Sequence, residues 1–235
     1  MSSSSLDQAP LGRDTAYPTQ YDPSVLFAVN RETNRAMLPF VPNWVGAELY
    51  LNSFNESRFQ SINEVKQRLE NDLSKVAGAN IEVVLTDLHR IGQAQCAPLA
   101  GINIDEADVE IEHYQPNANL LKCVVNAQTV SETLTSDLLK SNCPVTGQPD
   151  WGSLQIQYTG PKINRESLLK YIISLRRHTE FHEHCVEKIY CDIWQACQPE
   201  FLFVYACYTR RGGLDINPWR ASRPTSFEPA RTPRQ

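Results

Sequence analysis

Apolar residues recur at helical spacing through Ile62, Val65, Leu69, Leu73 and Val76, which predicts a helix over about residues 61–77. Ser61 followed by Glu64 gives the helix a capping-box start, and Gly78 supplies its stop. The period then changes. IEVVLTDL (81–88) reads as a strand, ADVEIEHY (107–114) as a second with clear alternation, and the stretch around 123–130 as a third. In WGSLQIQY, Leu154, Ile156 and Tyr158 share one face while Gln155 and Gln157 take the other. Two helices are predicted next, over about 165–177 and 180–197, and then an apolar strand, FLFVYACY (201–208).

Sliding the chain on itself by 121 residues keeps a helix face and the following strand face in register together. Val65, Leu69, Leu73 and Val76 fall on Val186, Tyr190, Trp194 and Cys197; Ile81, Val83 and Leu85 fall on Leu202, Val204 and Ala206. This supports two similar α+β modules in tandem.

The two ends lack such a period. Residues 1–42 are polar and punctuated by proline, reading as an irregular arm. From Asn217 onward, four arginines and four prolines against one glutamate suggest a surface tail. The 235 residues carry 22 basic and 27 acidic side chains, a net charge of -5, with a pI near 5.6 and a mean hydropathy of -0.40. That balance argues against a general binder of nucleic-acid backbones, which needs a basic face. The longest apolar run, Phe201 to Tyr208, is far shorter than the roughly 20 residues of a membrane helix. MSSSSLDQAP has neither the basic nor the apolar region of a secretory signal. Seven cysteines at irregular spacing read as free thiols and not as a disulfide framework. The expectation is a soluble cytoplasmic protein.

Three segments carry candidate chemistry. In SNCPVTGQPDW, Cys143 sits in a Pro/Gly-rich loop with Asp150 seven residues later, just before an alternating strand. A thiolate there can attack an electrophilic carbon while a nearby carboxyl moves a proton, and a packed structural cysteine beside a turn aspartate is the plainer alternative. In RRHTEFHEHC, the spacing of His178, His182 and Cys185 is compatible with metal ligation. The same segment equally lets His182 and Glu183 present a donor and an acceptor to a heterocycle, or forms a solvated junction between helices. In YTRRGGLDINPWR, Arg210, Arg211 and the following glycines suit a phosphate or a plain glycine turn. The string is not a GxGxxG fingerprint.

Taken together, LLKSNC, QPDWGSLQIQY, EFHE and YTRRGGLDINPWR, with LYLNSFN upstream, resemble the QueF family of NADPH-dependent 7-cyano-7-deazaguanine reductases in its long form. The resemblance covers Leu49 to Arg220. It implies an α+β fold of tandem T-fold (tunnelling-fold) modules, antiparallel sheets each carrying two helices. The implied divisions are an arm over 1–42, a first module over 43–115, a catalytic module over 116–216 and a tail over 217–235. It also implies that Cys143 adds to the nitrile carbon as a thioimide, that Asp150 donates a proton, and that His182 and Glu183 bind the deazaguanine. Arg211 and Gly212 match NADPH contacts, with Arg210 added beside them. Thiolate addition turns a nitrile into an imine-like group that accepts hydride. Reaching the primary amine takes four electrons, hence two NADPH, in a pocket closed to water. No metal is implied. The product leads to queuosine in tRNA, so the partner is a free base and not the nucleic acid, and a homodimer is the usual assembly.

One stretch departs from the family. Where its members carry an ESKSFK-like string before LYLNSFN, this chain has NWVGAE (43–48), and two strands that would open the first module are missing. The first module is therefore expected to be incomplete, with substrate and NADPH binding impaired. The competing readings are a deazapurine-binding protein without catalysis and a zinc-dependent enzyme using Cys143 and His182 as ligands.

Overall fold

The computed structural model describes residues 18–28, 44–45, 47–87, 96–227 and 231–235. The chain divides into two units, residues 1–35 with 39–94 and residues 36–38 with 95–235. The module boundary expected at 115/116 falls inside the second unit. Most of the expected arm lies outside the described residues.

In the first unit, β1 (Phe27–Ala28) pairs antiparallel with β2 (Trp44–Val45), followed by α1 (Ala47–Asn52) and α2 (Ile62–Ala77). α2 starts as its sequence dictates: Ser61 Oγ accepts from the N–H of Glu64 at 3.2 Å. The Glu64 carboxylate reaches back to the N–H of Gln60 at 2.7 Å, one residue beyond the cap. Tyr21, Tyr50, Phe54 and Phe59 form an aromatic cluster, and the hydroxyls of both tyrosines donate to Asp72. The strand expected over 81–88 does not form across 81–87, and Leu88 lies outside the described residues. Strand structure needs a neighbour, and α2 takes the place of one here. Ser74 Oγ accepts from the N–H of Ile81 at 3.0 Å and Glu70 Oε1 from that of Val83 at 3.2 Å.

The second unit carries a sheet in the order β3 (Ile102–Asn103), β4 (Thr129–Asn142), β5 (Pro149–Pro161), β6 (Phe201–Tyr208), β7 (Trp219–Ala221). The expectation of purely antiparallel sheets is corrected at one place: β3 runs parallel to β4, while every other pairing is antiparallel. The stretch read as a surface tail supplies β7, and Phe227 within it packs against Phe203 and Tyr205 with ring centroids 5.1 and 5.0 Å apart.

Two helices cover one face of this sheet: α3 (Arg165–Ser174), continued by a 3-10 turn over Leu175–Arg177, and α4 (His182–Cys197). Leu154, Ile156 and Tyr158 of β5 and Leu202, Val204 and Ala206 of β6 are buried beneath them, as the alternation predicts. The odd-numbered residues of β6 face the other way, where Phe201, Phe203, Tyr205 and Cys207 form a second apolar cluster with Leu99, Ala221 and Phe227. No helix among the described residues is long and apolar enough to cross a membrane.

Two strand expectations in this unit fail in different ways. ADVEIEHY forms no strand, yet Ala107, Val109 and Ile111 pack on the core and the residues between them are exposed. The third expected strand starts at Thr129 and runs on to Asn142, with Cys123 making only an isolated bridge to Ile163. Its alternation is broken by a bulge between Ser136 and Leu139. Leu134 and Ser136 are buried before it and Leu139 and Ser141 after it, so even positions point inward on one side and odd positions on the other. Asp105 caps the bulge, accepting from the N–H of Asp137 at 2.7 Å and from the hydroxyl of Ser136.

Candidate active site

The end of β4, the start of β5, the end of β6 and the N-terminus of α4 meet at one edge of the sheet. Cys143 is the first residue after β4, in the loop that turns into β5. Its N–H donates to the carbonyl of Gln148 at 2.9 Å, and its carbonyl accepts from Gly147 at 3.0 Å, so the hairpin loop is closed on itself. Asp150, the second residue of β5, stands opposite Ser141 and is nearly inaccessible. The segment before α4 lies against the same corner: Asn142 donates to the carbonyl of His178 at 2.8 Å and accepts from the N–H of Glu180 at 3.1 Å. That pairing brings the start of α4, whose first two residues are His182 and Glu183, to the corner that holds Asp150.

The geometry brings three of the predicted residues, Asp150, His182 and Arg211, together. Asp150 Oδ2 lies 3.2 Å from Nε2 of His182, and Asp150 Oδ1 lies 3.1 Å from Nε of Arg211. The His182–Asp150 contact is an ion pair by distance, but the ring nitrogen is not aligned for a hydrogen bond. Arg211 begins a tight turn in which Arg211 and Leu214 exchange backbone hydrogen bonds of 3.1 and 2.8 Å. Gly212 and Gly213 fill its centre at φ 54° and 83°, a primed turn that side chains with a Cβ rarely adopt. Arg210 is directed away: both arms of its guanidinium grip Asp215 at 2.9 Å.

Electrostatics set the thiol apart. Burial alone would raise Cys143, but hydrogen bonds from Arg211, from the Thr146 hydroxyl and from the N–H groups of Thr146 and Val145 outweigh it and bring it below the ordinary range. Cys185, fully buried in α4, goes the other way: burial pushes it up to about 11, against hydrogen bonds from Tyr208 and Ser141. Burial also raises Glu183, opposed by its own N–H and by the charges of His182 and His184. His178, His182 and Cys185 are not assembled as ligands; among the described residues no three His, Cys, Asp or Glu side chains converge to hold a metal ion.

Sequence reasoning missed three contributors. Thr146 hydrogen-bonds the thiol, and only its place in a short loop after the cysteine hinted at this. Tyr208 is fully buried with its ring centroid 4.1 Å from that of His182. Gly152 gives Tyr208 its room, since a Cβ there would meet Cδ1 of the tyrosine at 3.2 Å.

Comparison with known proteins follows the same residues. Residues 45–85 match the family model described as the N-terminal part of nitrile reductase, 7-cyano-7-deazaguanine-reductase, and residues 149–226 match that of QueF-like protein. The protein of Bordetella pertussis called NADPH-dependent 7-cyano-7-deazaguanine reductase is 47% identical over 259 residues, spanning 93% of this chain and 94% of its own. Its namesake in Chromobacterium violaceum is 45% identical over 258 residues, 92% of each chain, and that of Burkholderia vietnamiensis 43% over 271, 97% and 99%. Among solved structures, the apo archaeosine synthase QueF-Like covers 43% of this chain and 99% of its own at 16% identity and a TM-score of 0.37, too slight a likeness to carry the fold. On the identity and span of these relatives, this chain belongs to the family of NADPH-dependent 7-cyano-7-deazaguanine reductases.

Proposed function

We infer that this protein reduces the nitrile of 7-cyano-7-deazaguanine to the primary amine with NADPH, a step of queuosine biosynthesis, and that Cys143 is its nucleophile. The observation that carries the reading is the setting of that thiol: buried, yet drawn below the usual thiol range by a side chain, Arg211, that also meets Asp150 of the Asp150–His182 pair. A cysteine kept only for packing goes up on burial, as Cys185 does. A protein that merely bound the base would have no need of the difference.

Cys143 adds to the nitrile carbon, forming the C–S bond while one π pair moves to nitrogen. The Asp150–His182 pair supplies the proton that nitrogen takes up, giving a thioimide held on the enzyme. Glu183 accepts from the ring N–H groups of the base, and its position one residue beyond His182 sets base and nitrile on the same corner. When bound, NADPH would supply hydride to the activated carbon. The residues fit such a cofactor: Arg211 keeps about a quarter of its side-chain surface open, 27%, and Gly212 and Gly213 let an anionic group approach the backbone closely. The fold reading is a tandem T-fold with an incomplete first module, supported by two helices on one sheet face in the second unit and by α1 and α2 in the first. A homodimer acting on the free base in the cytoplasm completes the proposal.

Intact mass after incubation with 7-cyano-7-deazaguanine alone tests it. One covalently bound ligand is expected in the native chain and none in Cys143→Ala. NADPH oxidation should then follow in the native chain at two NADPH per amine formed. No adduct in a folded native chain would overturn the reading.

A further inference from the structure

Residues 231–235 lie against the hairpin that carries the Arg211–Gly213 turn, and the Gln235 amide stands at the base of that hairpin. Its Nε2 donates to the carbonyl of Tyr208 at 3.2 Å, where β6 ends, and to Oδ1 of Asn217 at 2.5 Å, on the returning limb. Its Oε1 accepts from the N–H of Thr232 at 3.2 Å and from the Thr232 hydroxyl at 3.4 Å, and Thr232 is buried. Both polar atoms of the amide are thus used. Its neighbours anchor the same segment. The carbonyl of Arg231 accepts from the N–H of Ala97 at 3.1 Å, and Arg234 donates to the carbonyl of Asp137 at 2.7 Å.

We propose that Gln235 is a positioning residue for the cofactor: its amide closes the base of the 208–217 hairpin and so presents Arg211, Gly212 and Gly213 to an anionic group of NADPH. The proposal rests on the nitrile-reductase reading and deepens its cofactor site. The hairpin needs such a tie because of its tip. Gly212 and Gly213 sit at positive φ, and glycines give up more backbone freedom on ordering than other residues do. The hairpin's own backbone bonds join Tyr208 to Ile216 at 3.3 Å and Arg211 to Leu214. Gln235 adds two bonds that link one limb to the other. Arg231 adds a further tie, 3.7 Å from the Asp215 carboxylate that Arg210 also grips. Ordering the tip before the cofactor arrives removes that cost from binding.

The reacting corner is tied to this hairpin by other contacts. The Tyr208 ring stacks on His182, and the N–H of Thr209 donates at 2.9 Å to the carbonyl of Trp151, next to Asp150. Neither contact passes through the Gln235 amide. Loss of the amide should therefore loosen the tip and leave the covalent step in place. A glutamate at this position keeps the size and Oε1 but replaces two donors with an acceptor facing two acceptors. An isosteric change thus reads the hydrogen bonds apart from the volume.

The test compares the native chain with Gln235→Met and Gln235→Glu, by amide hydrogen exchange without ligands and by equilibrium binding of NADPH. Exchange across 209–217 should quicken about tenfold in both variants, with peptides of α3 and α4 unchanged. The dissociation constant for NADPH should rise about tenfold, and more for Glu than for Met. KM for NADPH should follow it while kcat at saturation holds. Gln235→Asn, whose amide is one methylene short, carries the same expectation should the Met variant not fold. Arg223→Met, which changes an arginine lying over Phe201, should match the native chain throughout. Unchanged exchange in the hairpin of a folded variant would overturn the proposal, as would faster exchange with native NADPH affinity. The nitrile-reductase reading fails separately: a native chain that forms no adduct with 7-cyano-7-deazaguanine sinks it, while exchange and NADPH binding in the variants still decide the role of Gln235.

Discussion

The ring of Tyr208 packs against that of His182, centroids 4.1 Å apart and planes inclined by 35°, and Gly152 lies beneath the tyrosine on the neighbouring strand. A methyl at residue 152 would sit 3.2 Å from Cδ1 of Tyr208 and 3.4 Å from the carbonyl of Cys207, closer than an unmoved tyrosine tolerates. Gly152→Ala should therefore shift the tyrosine and with it the imidazole that faces Asp150. The expected result is a loss of about tenfold or more in kcat/KM, since small misplacements at a reacting centre cost heavily. Steady-state kinetics alongside a melting curve check it. A variant that melts lower with kcat/KM intact would assign the stack to packing alone.

Glu183 sets stability against function. Its carboxyl is raised above the ordinary value because burial penalises its charge. The folded chain thus holds that proton more tightly than the unfolded one. The cost of the buried charge is present above the folded value and fades as pH falls through it. Glu183→Gln removes the cost, so its Tm should exceed that of the native chain by about 2 to 4 °C at neutral pH, a gain that shrinks towards pH 4.5. Substrate turnover should drop about a hundredfold, because an amide no longer offers the base two equivalent acceptors. Equal melting temperatures at neutral pH would show that water already reaches the carboxylate.

The first turn of α4 carries a pH-dependent clasp. Glu180 Oε1 meets Nδ1 of His184 at 3.1 Å; burial opposes both charges, but the pairing raises the histidine and lowers the glutamate. The raised histidine contributes stability that is whole below pH 6.5 and lost as pH climbs through its folded value. The lowered glutamate contributes above pH 4.5 and is lost as pH falls through its own. His184→Gln should cost on the order of 1 kcal/mol at pH 6 and almost nothing at pH 9. Urea unfolding at the two pH values measures the difference, and an equal cost at both would mean the ring acts by packing.

The sequence points to the candidate site more fully than to the sheet that holds it. Cys143, Asp150, His182 and Glu183 stand out as candidates because each chemistry-bearing residue type stands beside a strong local signal: a Pro/Gly loop, an alternating strand, a helix start. Strands are less local. Ala107, Val109 and Ile111 alternate as a strand should and do face the core, but alternation reports facing and not whether a partner accepts the backbone hydrogen bonds. β4 hides for the opposite reason: its ladder is long, but the bulge after Ser136 flips the parity that pattern reading depends on. Tyr208 stays hidden because its role comes from a glycine 56 positions earlier, seen only once β5 and β6 are paired.

The same dependence on partners governs the missing stretch. The alignment with the Bordetella pertussis relative runs over 259 positions, whereas 93% of 235 residues is about 219, so about 40 positions have no counterpart here. The expected place for them is before LYLNSFN, where NWVGAE replaces a string carrying a carboxylate and a lysine. Among the described residues of the first unit, none forms a strand beside the backbone of 81–87, and Val84 and Leu85 are exposed. Such an edge invites self-association. The replaced string is also expected to deny the cofactor a charged contact, whose loss is on the order of 1.5 to 3 kcal/mol, or about tenfold or more in affinity. The dissociation constant for NADPH, measured by fluorescence quenching, should therefore be at least about tenfold weaker than that of the Chromobacterium violaceum relative, while Cys143, whose partners all lie in the second unit, should still take up the nitrile. Grafting the relative's missing segment ahead of Leu49 should recover the affinity. If the ungrafted chain bound NADPH as tightly as the relative, the first unit would have no part in holding the cofactor, and Arg211 with its glycine turn would have to suffice.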